Sequence, residues 1–265
     1  MTDLPYYHVD AFADRPFTGN QAAVMPLDTW LDDAVLQAIG EENAFAETAF
    51  IVPDTTGEAD YELRWFTPTV EVQMCGHATL ASGHVVLCQN PAIDRVTFRT
   101  RKVGVLEVLR ASQGYMLALP SIASETMQFD EAAAAIGGNP THIRGNPEQY
   151  YLLRYNSAAE ILALKPDMKA LALLGDDLFV ATAPGTDTDI ISRVFVPGAG
   201  IDEDAVTGSA HALLAPYWAK ELGRDHFTAH QASSRGGHLT CRLENDRVWL
   251  SGECFTVVKG VFSLK

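Results

Sequence analysis

The sequence predicts an α+β protein of two similar halves, each a curled β-sheet or barrel wrapped around one central helix. Three observations lead there. First, Phe50 and Phe179, Arg64 and Arg193, Phe66 and Phe195, and Pro68 and Pro197 recur at one common offset, so Arg-x-Phe-x-Pro appears twice, and Glu47 and Asp176 keep the same register. Each copy leads into a Gly-centred motif, Gly76-His77-Ala78-Thr79 and then Gly208-Ser209-Ala210-His211, the pattern of a duplicated unit. Second, residues 74–89 and 205–219 contain no Asp, Glu, Lys or Arg in a chain that is 20% charged. A helix that is apolar on every side is buried on every side. Third, most of the remaining chain reads as short β-rich runs divided by Gly, Pro, Asn and Asp turns.

Taken in order, strands are expected at 9–12, 22–25, 48–52, 61–66, 96–100, 103–110 and 115–119, with a charged surface helix at 31–39. The first central helix starts at Gly76, with Ala78, Ala81, Val85 and Cys88 at helical spacing. A Pro-Ser-Ile-Ala-Ser stretch at 120–124 marks the division, giving domains 1–120 and 121–265, with the last strand free to return to the first domain. In the second half a helix is expected at 130–136 and strands at 151–155, 178–183, 190–196, 227–231, 239–243, 247–251 and 255–262. Its central helix carries Ala210, Leu214, Trp218 and Leu222 on one face and ends at Gly223, while Pro216 either kinks it or sits near its first turn.

Composition excludes several classes of partner. A formal charge of −15 repels phosphate backbones, so no nucleic acid is expected. No apolar run reaches spanning length and the N-terminus lacks a basic region followed by an apolar core, so a cytoplasmic protein with no membrane partner is expected. Cys75, Cys88, Cys241 and Cys254 show no CxxC spacing, which argues against structural disulfides. His226 and His230 are four apart but in a strand-like run, and no metal site is expected. No Gly-rich nucleotide loop stands in strand–helix context, so no cofactor is expected either.

The two Gly-led helix starts supply the candidate binding elements. Free amides at 76–78 and 208–210, each backed by about half a positive charge, suit a carboxylate or a developing enolate, so the expected substrate is a small anionic carboxylate. Gly76 and Gly208 permit close backbone approach, and Ser209 adds a hydroxyl. Asn20, in the Thr18-Gly19-Asn20 turn, borders the expected pocket, and Arg235 is a candidate for its rim. Cys75 stands at a helix start, where amide dipoles favour a thiolate, although an inert buried thiol is the plainer reading.

Four ordered motifs then carry a resemblance. Val9-Asp10-Ala11-Phe12 with Pro16-Phe17-Thr18-Gly19-Asn20, Ala46-Glu47-Thr48-Ala49-Phe50, Cys75-Gly76-His77-Ala78-Thr79, and 202–211 (Asp-Glu-Asp-Ala-Val-Thr-Gly-Ser-Ala-His) resemble the PhzF-like family of phenazine biosynthesis from the first strand to the end of the chain. The resemblance implies a diaminopimelate epimerase-like fold, a homodimer, and cofactor-independent isomerisation by proton transfer in the cleft between two domains. The family's named member isomerises a dihydro-hydroxyanthranilate. Its catalytic carboxylate falls on Glu47, its histidine on His77, its aspartate on Asp204 and its hydroxyl on Ser209. Phe45, Ala46, Ala49 and Phe50 give Glu47 an apolar setting suited to a group that takes and returns a proton. Racemases of this fold place one cysteine ahead of each Gly motif, whereas this chain has Cys75 and Thr207, which disfavours two-thiol chemistry. Two alternatives stay open: an epimerase or racemase using Cys75 with a non-thiol partner, and a non-catalytic small-molecule binding protein on the same fold.

Overall fold

The computed structural model describes residues 2–146 and 149–264. The chain forms two compact units, Met1–Ala118 with Ser251–Lys265, and Leu119–Leu250.

The first unit contains β1 (Thr2–Ala13), β2 (Asn20–Pro26), α1 (Asp33–Asn43), β3 (Glu47–Pro53), β4 (Tyr61–Phe66), β5 (Glu71–Val72), α2 (Gly76–Gln89), β6 (Arg95–Arg99), β7 (Val105–Arg110) and β8 (Tyr115–Pro120). The chain's last strand, β17 (Arg247–Leu264), runs antiparallel to β1 from Glu253 to Leu264. Strand β1 pairs antiparallel with β2, β2 parallel with β3, and β3 antiparallel with β4. Strand β4 then pairs with β5 antiparallel and β6 parallel, and β6, β7 and β8 follow as an antiparallel meander. Pairing of β8 with β17 closes the order into a ring.

Helix α2 fills that ring. Every residue from Gly76 to Leu87 is buried, as its lack of charge requires. Its two hydroxyl side chains are satisfied by the helix backbone: Thr79 Oγ1 donates to the Cys75 carbonyl at 2.5 Å and Ser82 Oγ to the Ala78 carbonyl at 2.8 Å. Gly83 allows the closest approach, because a Cβ there would meet Val108 Cγ1 at 2.4 Å. A second apolar cluster under α1 joins Met25, Leu36, Ile39, Phe50 and Phe66.

The second unit repeats this plan. It contains β9 (Glu125–Met127), α3 (Asp130–Ile136), β10 (His142–Gly145), β11 (Tyr150–Arg154), α4 (Ala158–Ala163), α5 (Met168–Ala172), β12 (Leu178–Pro184), β13 (Ile190–Val196), β14 (Ile201–Asp204), α6 (Gly208–Leu222), β15 (His226–Gln231) and β16 (Gly237–Glu244). From β10 to β16 the pairings run antiparallel, parallel, antiparallel, antiparallel, parallel, antiparallel. That is the order found from β1 to β7. The duplicated arginines also do the same job. Arg64 makes a bidentate pair with Glu71 at 2.7 and 2.8 Å, and Arg193 with Glu203 at 2.7 and 2.9 Å. Each guanidinium also sits 5.0 Å from the ring of the Phe two residues on, Phe66 or Phe195.

Several expectations need correction. The ladder sets Arg64 opposite Phe50 but Arg193 opposite Ala181, and Phe66 opposite Thr48 but Phe195 opposite Phe179. The structural equivalent of Glu47 is therefore Leu178, and Asp176 lies in the exposed loop before β12. A slip of two residues preserves which face a side chain points to, so Phe50 and Phe179 are both fully buried although they are not equivalent. Helix α1 begins later than expected and continues to Asn43, ending at Ala44 in the left-handed conformation. Pro216 lies well inside α6 rather than near its first turn, and the helix continues beyond it to Leu222. The Ala212 carbonyl, which Pro216 leaves without its helical donor, accepts the Ile122 N–H at 3.1 Å instead. The runs 247–251 and 255–262 are one strand. Helices α4 and α5 and the short strands β5, β9, β10 and β14 were not anticipated.

Candidate functional site

The first motif builds a turn that delivers Asn20. Asp10, 1% exposed on β1, accepts the Phe17 N–H at 2.7 Å, and Thr18 Oγ1 donates to Asp14 Oδ1 at 2.8 Å. Gly19 has φ +69°, and a Cβ there would strike the Ala11 carbonyl at 2.3 Å, so only glycine closes this turn without strain. Asn20 thereby opens β2, and Glu47 opens β3 after the left-handed end of α1. Cys75 is the N-cap residue of α2 and His77 its second helical residue.

These residues converge. His77 Nε2 lies 3.1 Å from Glu47 Oε2, Asn20 Nδ2 lies 3.1 Å from His77 Nδ1, and Cys75 Sγ lies 3.6 Å from the same nitrogen. His77 is 3% exposed, while the Glu47 side chain keeps 15%. Glu47 Oε2 and His77 Nε2 nevertheless have no hydrogen-bond partner, so the pair is within charge-pairing distance with its N–H off line. Burial disfavours an imidazolium here, but the adjacent Cys75 and Glu47 outweigh it and hold the His77 pKa well above its usual 6.5. Burial and the Glu47 charge push the Cys75 thiol up to about 11. Because that thiol is neutral at pH 7, the charge favouring imidazolium there is that of Glu47. With the Asn20 NH2 facing Nδ1, the neutral ring carries its proton on Nε2, and the imidazolium carries one there as well. Both states keep a proton on Nε2 beside the carboxylate. Glu47, Cys75 and His77 also bring one potential metal-ligand atom each to within 4.8 Å of one another.

The second unit carries a different polar cluster at the start of α6. Thr207 Oγ1 donates to Asp204 Oδ2 at 2.6 Å, and the Thr207 N–H donates to Gln231 Oε1 at 2.9 Å. Gln231 Nε2 donates to the Asp204 carbonyl at 2.8 Å and lies 3.2 Å from Thr207 Oγ1. Neither central helix has a side-chain cap on its first amides, since Thr207 is engaged by Asp204 and Cys75 faces His77. Gly208 is buried and Ser209 half-buried in the first turn of α6. His211 takes its Nδ1 to the Thr207 carbonyl at 2.8 Å, and burial, only partly offset by that bond, lowers its pKa to about 4.

Of the residues picked from sequence, Asn20, Glu47, Gly76 and His77 stand together, while Asp204, Gly208 and Ser209 belong to the α6 cluster. Gln231 was missed. The available signal was a polar residue closing an alternating strand beside the Ser-Ser-Arg-Gly-Gly loop, and its complete burial shows only in the fold.

The model of the family described as Phenazine biosynthesis-like protein matches residues 9–260. An uncharacterized isomerase of Pseudomonas aeruginosa is 43% identical over 260 residues, covering 97% of each chain. A phenazine biosynthesis-like domain-containing protein of Homo sapiens is 36% identical over 98% of this chain and 99% of its own length. Among solved structures, a PhzF-family phenazine biosynthesis protein from Enterococcus faecalis superposes with a TM-score of 0.91 at 38% identity, covering 99% of this chain and 100% of that one. A hydroxyproline epimerase from Agrobacterium vitis, at 9% identity and a TM-score of 0.63, shares the fold alone. No helix among the described residues is long and apolar enough to cross a membrane. The chain therefore belongs to the phenazine biosynthesis-like family and is an isomerase on the diaminopimelate epimerase-like fold.

Proposed function

We propose that this isomerase moves a proton within a small carboxylate metabolite, without a cofactor, using Glu47 as its one general acid/base. The observation that carries the reading is the asymmetry of the two units. Glu47 and Cys75 in the first correspond to Leu178 and Thr207 in the second, so the second unit offers no opposing carboxylate or thiol at those positions. Glu47 takes the proton from a substrate carbon, the electron pair passes into the conjugated carboxylate, and Glu47 returns the proton to a different carbon. His77, protonated on Nε2, orients the carboxylate and balances its charge, with Asn20 fixing the ring. Asp204, held through Thr207 and Gln231, and Ser209 are assigned to substrate orientation, and the uncapped starts of α2 and α6 to the substrate's negative charge.

Thiol chemistry at Cys75 fits less well, because burial and Glu47 keep that sulfur protonated. The two readings separate in a turnover screen of small unsaturated, hydroxy and amino carboxylates with Glu47→Gln and Cys75→Ala. The proposal expects turnover to fall at least about 100-fold in Glu47→Gln and to persist in Cys75→Ala. Turnover that survives in Glu47→Gln and vanishes in Cys75→Ala would transfer the role to the thiol.

A further inference from the structure

We propose that Glu47, Cys75 and His77 together bind a thiophilic divalent cation of the zinc class, which occupies the proton-carrying carboxylate and holds the enzyme inactive. The placement comes first. One carboxylate oxygen, one sulfur and one imidazole nitrogen lie within 4.8 Å of one another on two segments, the start of β3 and the N-cap and first turn of α2. The Oε2–Nε2 separation of 3.1 Å and the Sγ–Nδ1 separation of 3.6 Å are each near the edge of a tetrahedron whose metal–ligand bonds are about 2.0–2.3 Å. They fall on different ring nitrogens, so a turn of the Cys75 or Glu47 side chain gathers the three donors on one of them.

A second observation points to the same spot. Glu47 Oε2 and His77 Nε2 are buried polar atoms that face each other at 3.1 Å without an aligned hydrogen bond, and a cation between the side chains would engage both. The donor set selects the ion. Sulfur and imidazole favour zinc, cobalt and cadmium and disfavour magnesium and calcium, which take oxygen ligands. Three protein ligands leave a fourth position for water. Asn20, at 3.1 Å from Nδ1, is the outer partner that fixes the ring when Nε2 binds the ion, with its amide oxygen accepting from Nδ1–H.

Binding is a proton exchange without redox change. The S–H bond breaks, a sulfur–metal bond forms, and the proton leaves to solvent; a protonated His77 gives up a second one. Affinity therefore rises with pH. Only the inhibitory consequence rests on Glu47 being the acid/base; the binding does not.

The test uses cobalt(II) as a spectroscopic probe on the full chain carrying Cys88→Ala, which removes the exposed thiol that lies 3.6 Å from His84 Nδ1. The expected result is one equivalent bound, with a thiolate-to-cobalt charge-transfer band and intense tetrahedral visible bands, displaced by zinc. Cys75→Ser is expected to remove the charge-transfer band and weaken binding at least about tenfold. Glu47→Gln, which leaves the buried thiol in place, is expected to weaken binding to a similar extent with the band retained. The proposal is overturned if no stoichiometric cobalt or zinc binds, if the band survives Cys75→Ser, or if Glu47→Gln leaves the affinity unchanged. Because the readout is spectral, any of these failures leaves the proton-transfer reading standing, and failure of the turnover screen leaves the binding result standing.

Discussion

His77 shows how the candidate site is biased by its own chemistry. Burial opposes a charge on this ring, and Cys75 and Glu47 together reverse that preference. The consequence for stability has a definite sign. The contribution of a histidine whose folded pKa is raised is fully present below about 6.5, its unfolded value, and is lost as pH rises through the folded pKa. His84 and His211 act oppositely. Burial lowers both to about 4, so each contributes stability that is lost as pH falls from about 6.5 toward 4. Removing the Glu47 charge in Glu47→Gln is expected to lower the His77 pKa and shrink its contribution at mildly acidic pH, measurable by NMR titration of the imidazole alongside denaturant unfolding. A wild-type His77 that titrates at or below 6.5 would contradict this. At this scale Asn20 was named from its Thr-Gly-Asn turn, and Glu47 and His77 from the motifs that resemble the family, and the structure brings the three side chains together. Leu178 and Gln231 were not named, since the first depends on ladder register and the second on burial, and neither is written in local sequence.

Among the elements, the two chargeless helices were readable because burial on all sides leaves no room for a charge. Their neighbours were less so. Helix α4 does carry a signature, Ser157-Ala158-Ala159-Glu160, in which Ser157 Oγ accepts the Glu160 N–H at 3.3 Å and Glu160 Oε1 accepts from Ser157 Oγ at 3.2 Å. The signature stands alone, because the helix is only about one and a half turns long and has no periodic face to confirm it. Pro216, expected to kink α6 or to sit near its first turn, lies in the helix interior, where Ile122 supplies the donor that Ala212 lacks. Gly83 of α2 packs directly against Val108 of β7. A Cβ at 2.4 Å from a stiff β-branched side chain that is fully buried has nowhere to go, so Gly83→Ala is expected to destabilise the protein by about 1–3 kcal/mol despite its better helix propensity. Chemical denaturation checks this; an unchanged midpoint would mean that α2 and the sheet are packed more loosely than described.

Over the whole molecule, duplication is the fact that sequence made visible first, and the repeated pairing order from β1 to β7 and from β10 to β16 gives it structural form. The exact register stayed hidden because a slip of two residues keeps the same faces buried and so leaves the apolar pattern intact. Residues 251–264 complete the first unit by pairing with β1, the return that the division of the sequence left open for the last strand. Deleting them strips the partner from β1, opens the ring and exposes an edge, so truncation after Leu250 is expected to abolish protection of β1 and β2 in hydrogen exchange and to promote aggregation. Retained protection would show that the ring does not depend on this strand. The central claim, that Glu47 alone carries the proton, is tested most directly by solvent deuterium incorporation. Small carboxylates that the enzyme isomerises are followed by mass spectrometry and NMR in deuterated buffer with wild-type protein and Glu47→Gln. The expected result is label at one carbon of the product, or intramolecular return of the original hydrogen, with both processes lost in Glu47→Gln; isomerisation that continues at the wild-type rate in the variant would contradict it.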